Sequence, residues 1–255
     1  MDHLIDAYLA SRSYSPASVK HRRAVFAGLT RHFDPATGTA EQYLAWWASK
    51  AEQAPATRRS AWQATRGLLD WLNVAGVRSD NPADLVRPPK VPKAPPKVLT
   101  SGQVHDLRQS LASHSEQLMV ELMLSCGLRI AECARVDADD LDRELEFLRV
   151  AGKGGKVAMV PVPAELVAIW PPVGSGPVFG IVPNTMHARV KKVLARAGIE
   201  HHTAHSLRRT CATEMARRNV PMHVVAAVLR HDTPATTLNY YTAVSDDDLR
   251  KAIGE

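Results

Sequence analysis

Cysteine is scarce: Cys126, Cys133 and Cys211 are the three in 255 residues, an odd number with no CxxC pair. That excludes a disulfide framework and a thiolate zinc site. It fits a reducing compartment in which three small thiols fill core space. No run of 18 or more apolar residues occurs, so no membrane span is expected. The opening stretch, MDHLIDAYLASRSYS, carries acids early and lacks the apolar centre of a secretory signal. No internal repeat is visible. A cytoplasmic protein without membrane contact is left, long enough for two domains.

Charge is present but unevenly placed. Residues 1–97 hold 14 Lys/Arg against 8 Asp/Glu, whereas residues 98–255 hold 18 of each, so the whole +6 surplus lies in the first part. A basic module joined to a neutral one suggests a polyanion gripped by the first and processed by the second. Between them runs RPPKVPKAPPKVLTSGQ, with five prolines and four basic residues before Leu99. Proline removes backbone donors and favours extended chain, which predicts a semi-rigid linker. Lys90, Lys93 and Lys97 along it either track phosphates or are solvated linker charges. The expected division is 1–86, a linker over 87–98, and 99–255.

The first part reads as a bundle of about four helices. Ser15-Pro16 is an N-cap followed by proline at the first helical position. Val19, Phe26 and Leu29 then mark an apolar stripe, with Lys20, Arg22 and Arg23 on other faces. Thr39 and Gln42 form a capping box ahead of YLAWWASKA. A long helix from Pro55 places Trp62, Leu69 and Leu72 in the core, carries Arg58, Arg59 and Arg66, and closes at Gly76. NPADLV starts a short fourth helix.

Past the linker, helices dominate, with one interruption. LEFLRVAGKGGKVAMVPVP has two β-prone runs, 145–150 and 157–162, around a glycine-rich turn, which predicts a hairpin with Lys153 at its tip. No Ser or Thr follows that lysine, so it is not a phosphate-cradling P-loop. In LMLSCGLRIAECARV, Arg129 sits among apolar residues and needs a partner. Glu132 either forms a structural ion pair with it or orients it towards a ligand. HSLRRTCAT places His205, Arg208 and Arg209 at the start of a helix with no acid before Glu214, an arrangement suited to an anion. HHTAH, with His201, His202 and His205, has a suggestive metal spacing, but acids that would complete a zinc site are scarce nearby.

Taken in order, CGLRIAE, AGKGGK, HSLRRT and RHDTPATTLNYYT present Arg129, Lys153, His205, Arg208, His231 and Tyr240. This ordered set resembles the tyrosine recombinase (phage integrase) family, and the resemblance covers nearly the whole chain. YSPASVKHRRAVFAGL and WLNVAGVRSDNPADLV resemble that family's N-terminal core-binding domain, and PKVLTSGQVHDL the entry to its catalytic domain. The resemblance implies a mainly α fold: a SAM-like helical DNA-binding bundle, then an α+β catalytic domain with a small hairpin or sheet.

The same resemblance implies site-specific DNA recombination through a 3′-phosphotyrosyl intermediate and a Holliday junction, with no metal, cofactor or ATP. Arg129 and Arg208 would clamp the non-bridging phosphate oxygens with bidentate geometry. Tyr240, nine residues after His231, would be the nucleophile rather than Tyr241. Lys153, with Lys156 as its rival, would protonate the leaving oxygen. His205 and His231 would position the phosphate, and Glu132 would support the arginines. Double-stranded DNA would be gripped by Lys20, Arg22, Arg23, Arg58, Arg59, Arg66 and the linker lysines. Four protomers would assemble on two sites in the nucleoid, with accessory proteins possible, and SDDDLRKAIGE would form a docking helix. The family usually has glycine where this chain has Arg230, so an arginine is expected to adopt a tight positive-φ turn there at a cost. Arg209 and Ala243 replace two frequent histidines outside the core set.

Overall fold

The computed structural model describes residues 1–92, 97–152 and 157–230, which fall into two compact units divided at Lys93/Ala94. Lys93, Lys153, Lys156, His231, Tyr240, Tyr241 and the SDDDLRKAIGE segment lie outside the described residues.

The first unit contains α1 (Asp2–Ala10), α2 (Pro16–Thr30), α3 (Ala40–Ala48) and α4 (Pro55–Val74). Local chemistry sets their starts. The Ser15 hydroxyl accepts from the Ser18 amide at 3.2 Å, and Pro16 stands where a helical N–H would be unsatisfied anyway. Thr39 and Gln42 close a reciprocal capping box at 3.3 and 3.0 Å. Tyr8, Phe26, Leu29, Tyr43, Trp46, Leu68, Leu69 and Leu72 form the buried centre. Trp62 is only half-buried against this core, and its Nε1 donates to the carbonyl of the buried Ala83 at 3.0 Å. NPADLV does form a short helix, a single 3-10 turn over Pro82–Leu85 capped by the Asn81 side chain.

The second unit contains α5 (Ser101–Gln109), α6 (His114–Leu124), α7 (Ile130–Cys133), β1 (Leu141–Asp142), β2 (Phe147–Ala151), β3 (Val157–Pro161), α8 (Ala164–Ala168), α9 (Pro183–Arg196), α10 (Ala204–Arg217) and α11 (Met222–Leu229). The strands form an antiparallel sheet in the order β1-β2-β3, with Leu148 opposite Val160 and Val150 opposite Ala158. Alternation turns Leu148, Val150 and Val160 inward. Helix α6 is buried all round from Leu118 to Leu124, as a central helix must be. Its one acid there, Glu121, is paired with Arg108 at 2.7 Å. Helix α10 packs beside α6 and offers Leu207, Cys211 and Ala212 to the interior. The Thr210 hydroxyl accepts from the Leu99 amide at 2.8 Å, fixing the start of this unit to α10. No helix among the described residues is long and apolar enough to cross a membrane.

Candidate active site

The site is built on the turn that ends α6. Gly127 has φ +62, and a Cβ there would come within 2.5 Å of the Leu229 side chain and 3.3 Å of the Cys211 sulfur. Glycine therefore serves twice: it reaches the left-handed region, and it lets α11 and α10 close over the turn. The chain then passes Leu128, buried, to Arg129 at the N-cap of α7. Glu132, one turn into α7, folds back. Its Oε2 accepts from the Arg129 amide at 2.7 Å and its Oε1 from the Arg129 guanidinium at 2.7 Å.

Two further guanidiniums converge on the same carboxylate. Arg208 of α10 lies 3.8 Å from Glu132 Oε2 and donates to the carbonyls of Gly127 and Leu229. Arg230, just past α11, donates to Glu132 Oε2 at 2.7 Å, to the Gly127 carbonyl at 3.0 Å and to the Val228 carbonyl at 2.6 Å. Among the described residues one acid thus serves these three cations, a residual positive charge suited to an anion. Burial opposes ionisation of Glu132, but the hydrogen bonds and charge of Arg230 and the two Arg129 donors outweigh it and hold the carboxyl below its ordinary range. The side chain of Arg129 is 42% exposed and that of Arg208 only 3%, so Arg129 is the cation that faces outward.

His205 stands in the first turn of α10, three residues before Arg208. Partial desolvation first, then the charges of Arg209, Arg208 and Arg129, press its pKa below the ordinary histidine value. Its imidazole is therefore kept neutral at neutral pH. Among the described residues no group of three or more His, Cys, Asp or Glu side chains is arranged to hold a metal ion.

Of the residues expected from the sequence, the structure brings together Arg129, Glu132, Arg208 and His205. Arg230 enters the cluster without having been counted in it. Its signal was legible in part: arginine in place of glycine foretold the left-handed turn, and φ 52, ψ 50 is what the backbone adopts. Where its side chain would go had no local signature, because its partners Gly127 and Glu132 are about a hundred residues away in sequence. Its Nε is buried without a hydrogen-bond partner among the described residues.

The basic residues of the first unit are differently placed. Lys20, Arg59 and Lys90 are exposed, as is Lys97 at the start of the second unit. Arg22 stacks on Tyr14 at 4.1 Å and Arg58 on Trp47 at 4.7 Å. Arg23 pairs with Asp6 at 2.7 Å, and Arg66 with Asp84 at 2.8 Å. A groove of about 1190 Å³ lies between α5, α6 and α10, lined by Arg108, Glu121, Cys211 and Arg218 among others; of the described candidate catalytic residues, Arg129, His205 and Arg208 do not line it.

A family model described as "Phage integrase family" matches residues 97–172 and 180–248. The chain is 28% identical to tyrosine recombinase XerD of Xanthomonas axonopodis pv. citri (strain 306), over 98% of this chain and 94% of that protein. It is 33% identical to tyrosine recombinase XerA of Thermococcus onnurineus (strain NA1), over 68% and 67%. Its fold is similar to that of a lambda integrase dimer bound to a COC′ core site, with a TM-score of 0.76 at 16% identity, covering 94% of this chain and 95% of that one.

Proposed function

The chain belongs to the phage integrase family and is a tyrosine-type site-specific recombinase, cleaving and rejoining DNA through a covalent phosphotyrosyl intermediate; we propose that its catalytic set is Arg129, Lys153, His205, Arg208, His231 and Tyr240, with Glu132 in support. The observation that carries this reading is the convergence of Arg129 and Arg208 on Glu132, beside a histidine whose proton affinity desolvation and the charges of Arg209, Arg208 and Arg129 depress.

The chemistry follows from those groups. The Tyr240 oxygen attacks phosphorus, the phosphorus–O5′ bond breaks, and the departing 5′-oxygen takes a proton from Lys153. Arg129 and Arg208 neutralise the charge that grows on the non-bridging oxygens, where fixed donors act most strongly. Phenol has a pKa near ~10, so the surrounding cations also favour the phenolate of the nucleophile. Neutral His205 is able to accept a proton or a hydrogen bond as the phenol ionises. The phosphotyrosyl ester conserves the bond energy, so a second 5′-hydroxyl reverses the step without ATP.

The first unit, with residues 1–86 at its centre, grips the duplex through Lys20, Arg22, Arg58 and Arg59, and the 87–98 linker adds Lys90, Lys93 and Lys97. Arg23 and Arg66 contribute less, since each already has an acid. Strand exchange joins four protomers and two sites through a Holliday junction, in the cytoplasm at the nucleoid.

Covalent trapping tests this. The protein is mixed with a pool of duplexes carrying bridging 5′-phosphorothiolates, whose thiol leaving group cannot reverse cleavage, and adducts are resolved on a denaturing gel. We expect an adduct that disappears in Tyr240→Phe. An adduct that survives assigns the nucleophile to Tyr241, and DNA binding with no wild-type adduct removes the catalytic reading.

A further inference from the structure

We propose that Arg230 is a positioning residue of this recombinase, which aims the Arg129 guanidinium at the scissile phosphate. The proposal rests on Arg129 being a phosphate clamp, as set out above.

Two points fix the Arg129 fork. One terminal nitrogen donates to Glu132 Oε1 at 2.7 Å, and the other donates to the main-chain carbonyl of Arg230 at 2.9 Å. A planar guanidinium held at two corners has a fixed orientation. The second corner exists because residue 230 is in the left-handed region, at φ 52 and ψ 50, which turns its carbonyl towards α7.

That backbone conformation is uncommon for a residue with a Cβ, and a glycine would adopt it freely. The turn therefore does not call for an arginine; the side chain does something else. It is 92% buried, and its donors reach Glu132 Oε2, the Gly127 carbonyl and the Val228 carbonyl. So the side chain of Arg230 anchors the acid that holds one corner of Arg129, while its carbonyl is the other corner. Arg230 thus contributes to both supports of the outward-facing arginine, sharing the hold on Glu132 with the Arg129 amide. Strain of this kind, found beside reacting groups, is a pointer to function. Residue 230 also immediately precedes His231, so the same anchor begins the segment that carries the second histidine and the nucleophile.

Arg230→Gly removes the guanidinium while relieving the backbone, and Arg230→Lys keeps a charge but not the fork. Single-turnover cleavage is measured on the duplex recovered by trapping, in two versions: the natural scissile phosphodiester and a methylphosphonate at that position. The methylphosphonate carries no charge and asks little of Arg129. Melting temperature and gel-shift affinity are recorded alongside. We expect Arg230→Gly to cleave the phosphodiester about 10²-fold slower at unchanged DNA affinity, as a misaimed catalytic group does. The deficit should shrink at least several-fold on the methylphosphonate, and Arg230→Lys should fall between the two proteins. Equal slowing on both substrates would make Arg230 a structural staple and overturn the proposal, as would undiminished cleavage of the phosphodiester. A wild-type protein that forms no Tyr240-dependent adduct fails the catalytic reading itself, a separate result.

Discussion

The arginines expected to grip DNA in the first unit and those of the candidate site in the second are partnered in opposite ways. In the first group, guanidiniums are partnered one at a time: Arg22 on Tyr14, Arg58 on Trp47, Arg23 on Asp6, Arg66 on Asp84. In the second group, Arg129, Arg208 and Arg230 share one buried carboxylate, and the Gly127 carbonyl accepts from both Arg208 and Arg230. Separate surface contacts are screened by salt, worth little each, and add. A shared buried centre is neither screened nor additive, because removing one member leaves the others uncompensated. The first arrangement suits gripping a backbone at many points, and the second suits holding one phosphate in one geometry.

The sharpest way to break this contrast is Glu132→Ala. It leaves the buried guanidiniums of Arg208 and Arg230 without their acid, which costs about 3–5 kcal/mol of stability. A fall in melting temperature with loss of the covalent adduct is expected. If urea denaturation gave a loss no larger than that of a surface pair, the carboxylate would not be the hub.

A smaller effect concerns pH. The folded pKa of His205 is depressed, so as pH falls below the ordinary value near ~6.5 the unfolded chain takes up its proton first. The folded state is then penalised across the window just below that value. His205→Gln should flatten that part of the stability profile. By NMR the His205 ring should titrate below the ordinary value in the free protein, and higher once a DNA phosphate offsets the arginines. A ring titrating at the ordinary value in the free protein would mean that the cluster's field does not reach it.

The smallest effects belong to the first unit. Arg22→Ala and Arg58→Ala should each weaken DNA binding a few-fold and lower the salt-dependence slope by about 1. Their double variant should equal the sum within about 0.5 kcal/mol. A strongly non-additive pair would erase the distinction between the units.

What could be read from the sequence divides along the same lines. Helix starts at Ser15 and Thr39 depend on residues three apart and follow local rules. The hairpin was legible because alternation and a glycine-rich turn are also local. Strand β1, two residues long, is too short to have a period and exists only by pairing with β2. NPADLV read as a short helix because its cap is local, and the turn it makes is of the 3-10 kind. The catalytic set could be assembled by its order along the chain, but the fourfold cluster around Glu132 joins α7, α10 and the end of α11. Nothing within ten residues of Arg230 signals that its guanidinium closes that cluster.

One feature of the Gly127 turn has a bearing on how this protein would look to a mutational survey. The group that accepts from both Arg208 and Arg230 there is a main-chain oxygen, and no side-chain substitution deletes it. A scan would therefore register the three arginines and the acid, and record position 127 merely as intolerant of a larger residue because of Leu229. Part of the machinery is thus written in the backbone, where only an amide-to-ester exchange or a shift of the turn itself would reveal it. It is also a part that drift in side chains cannot erode.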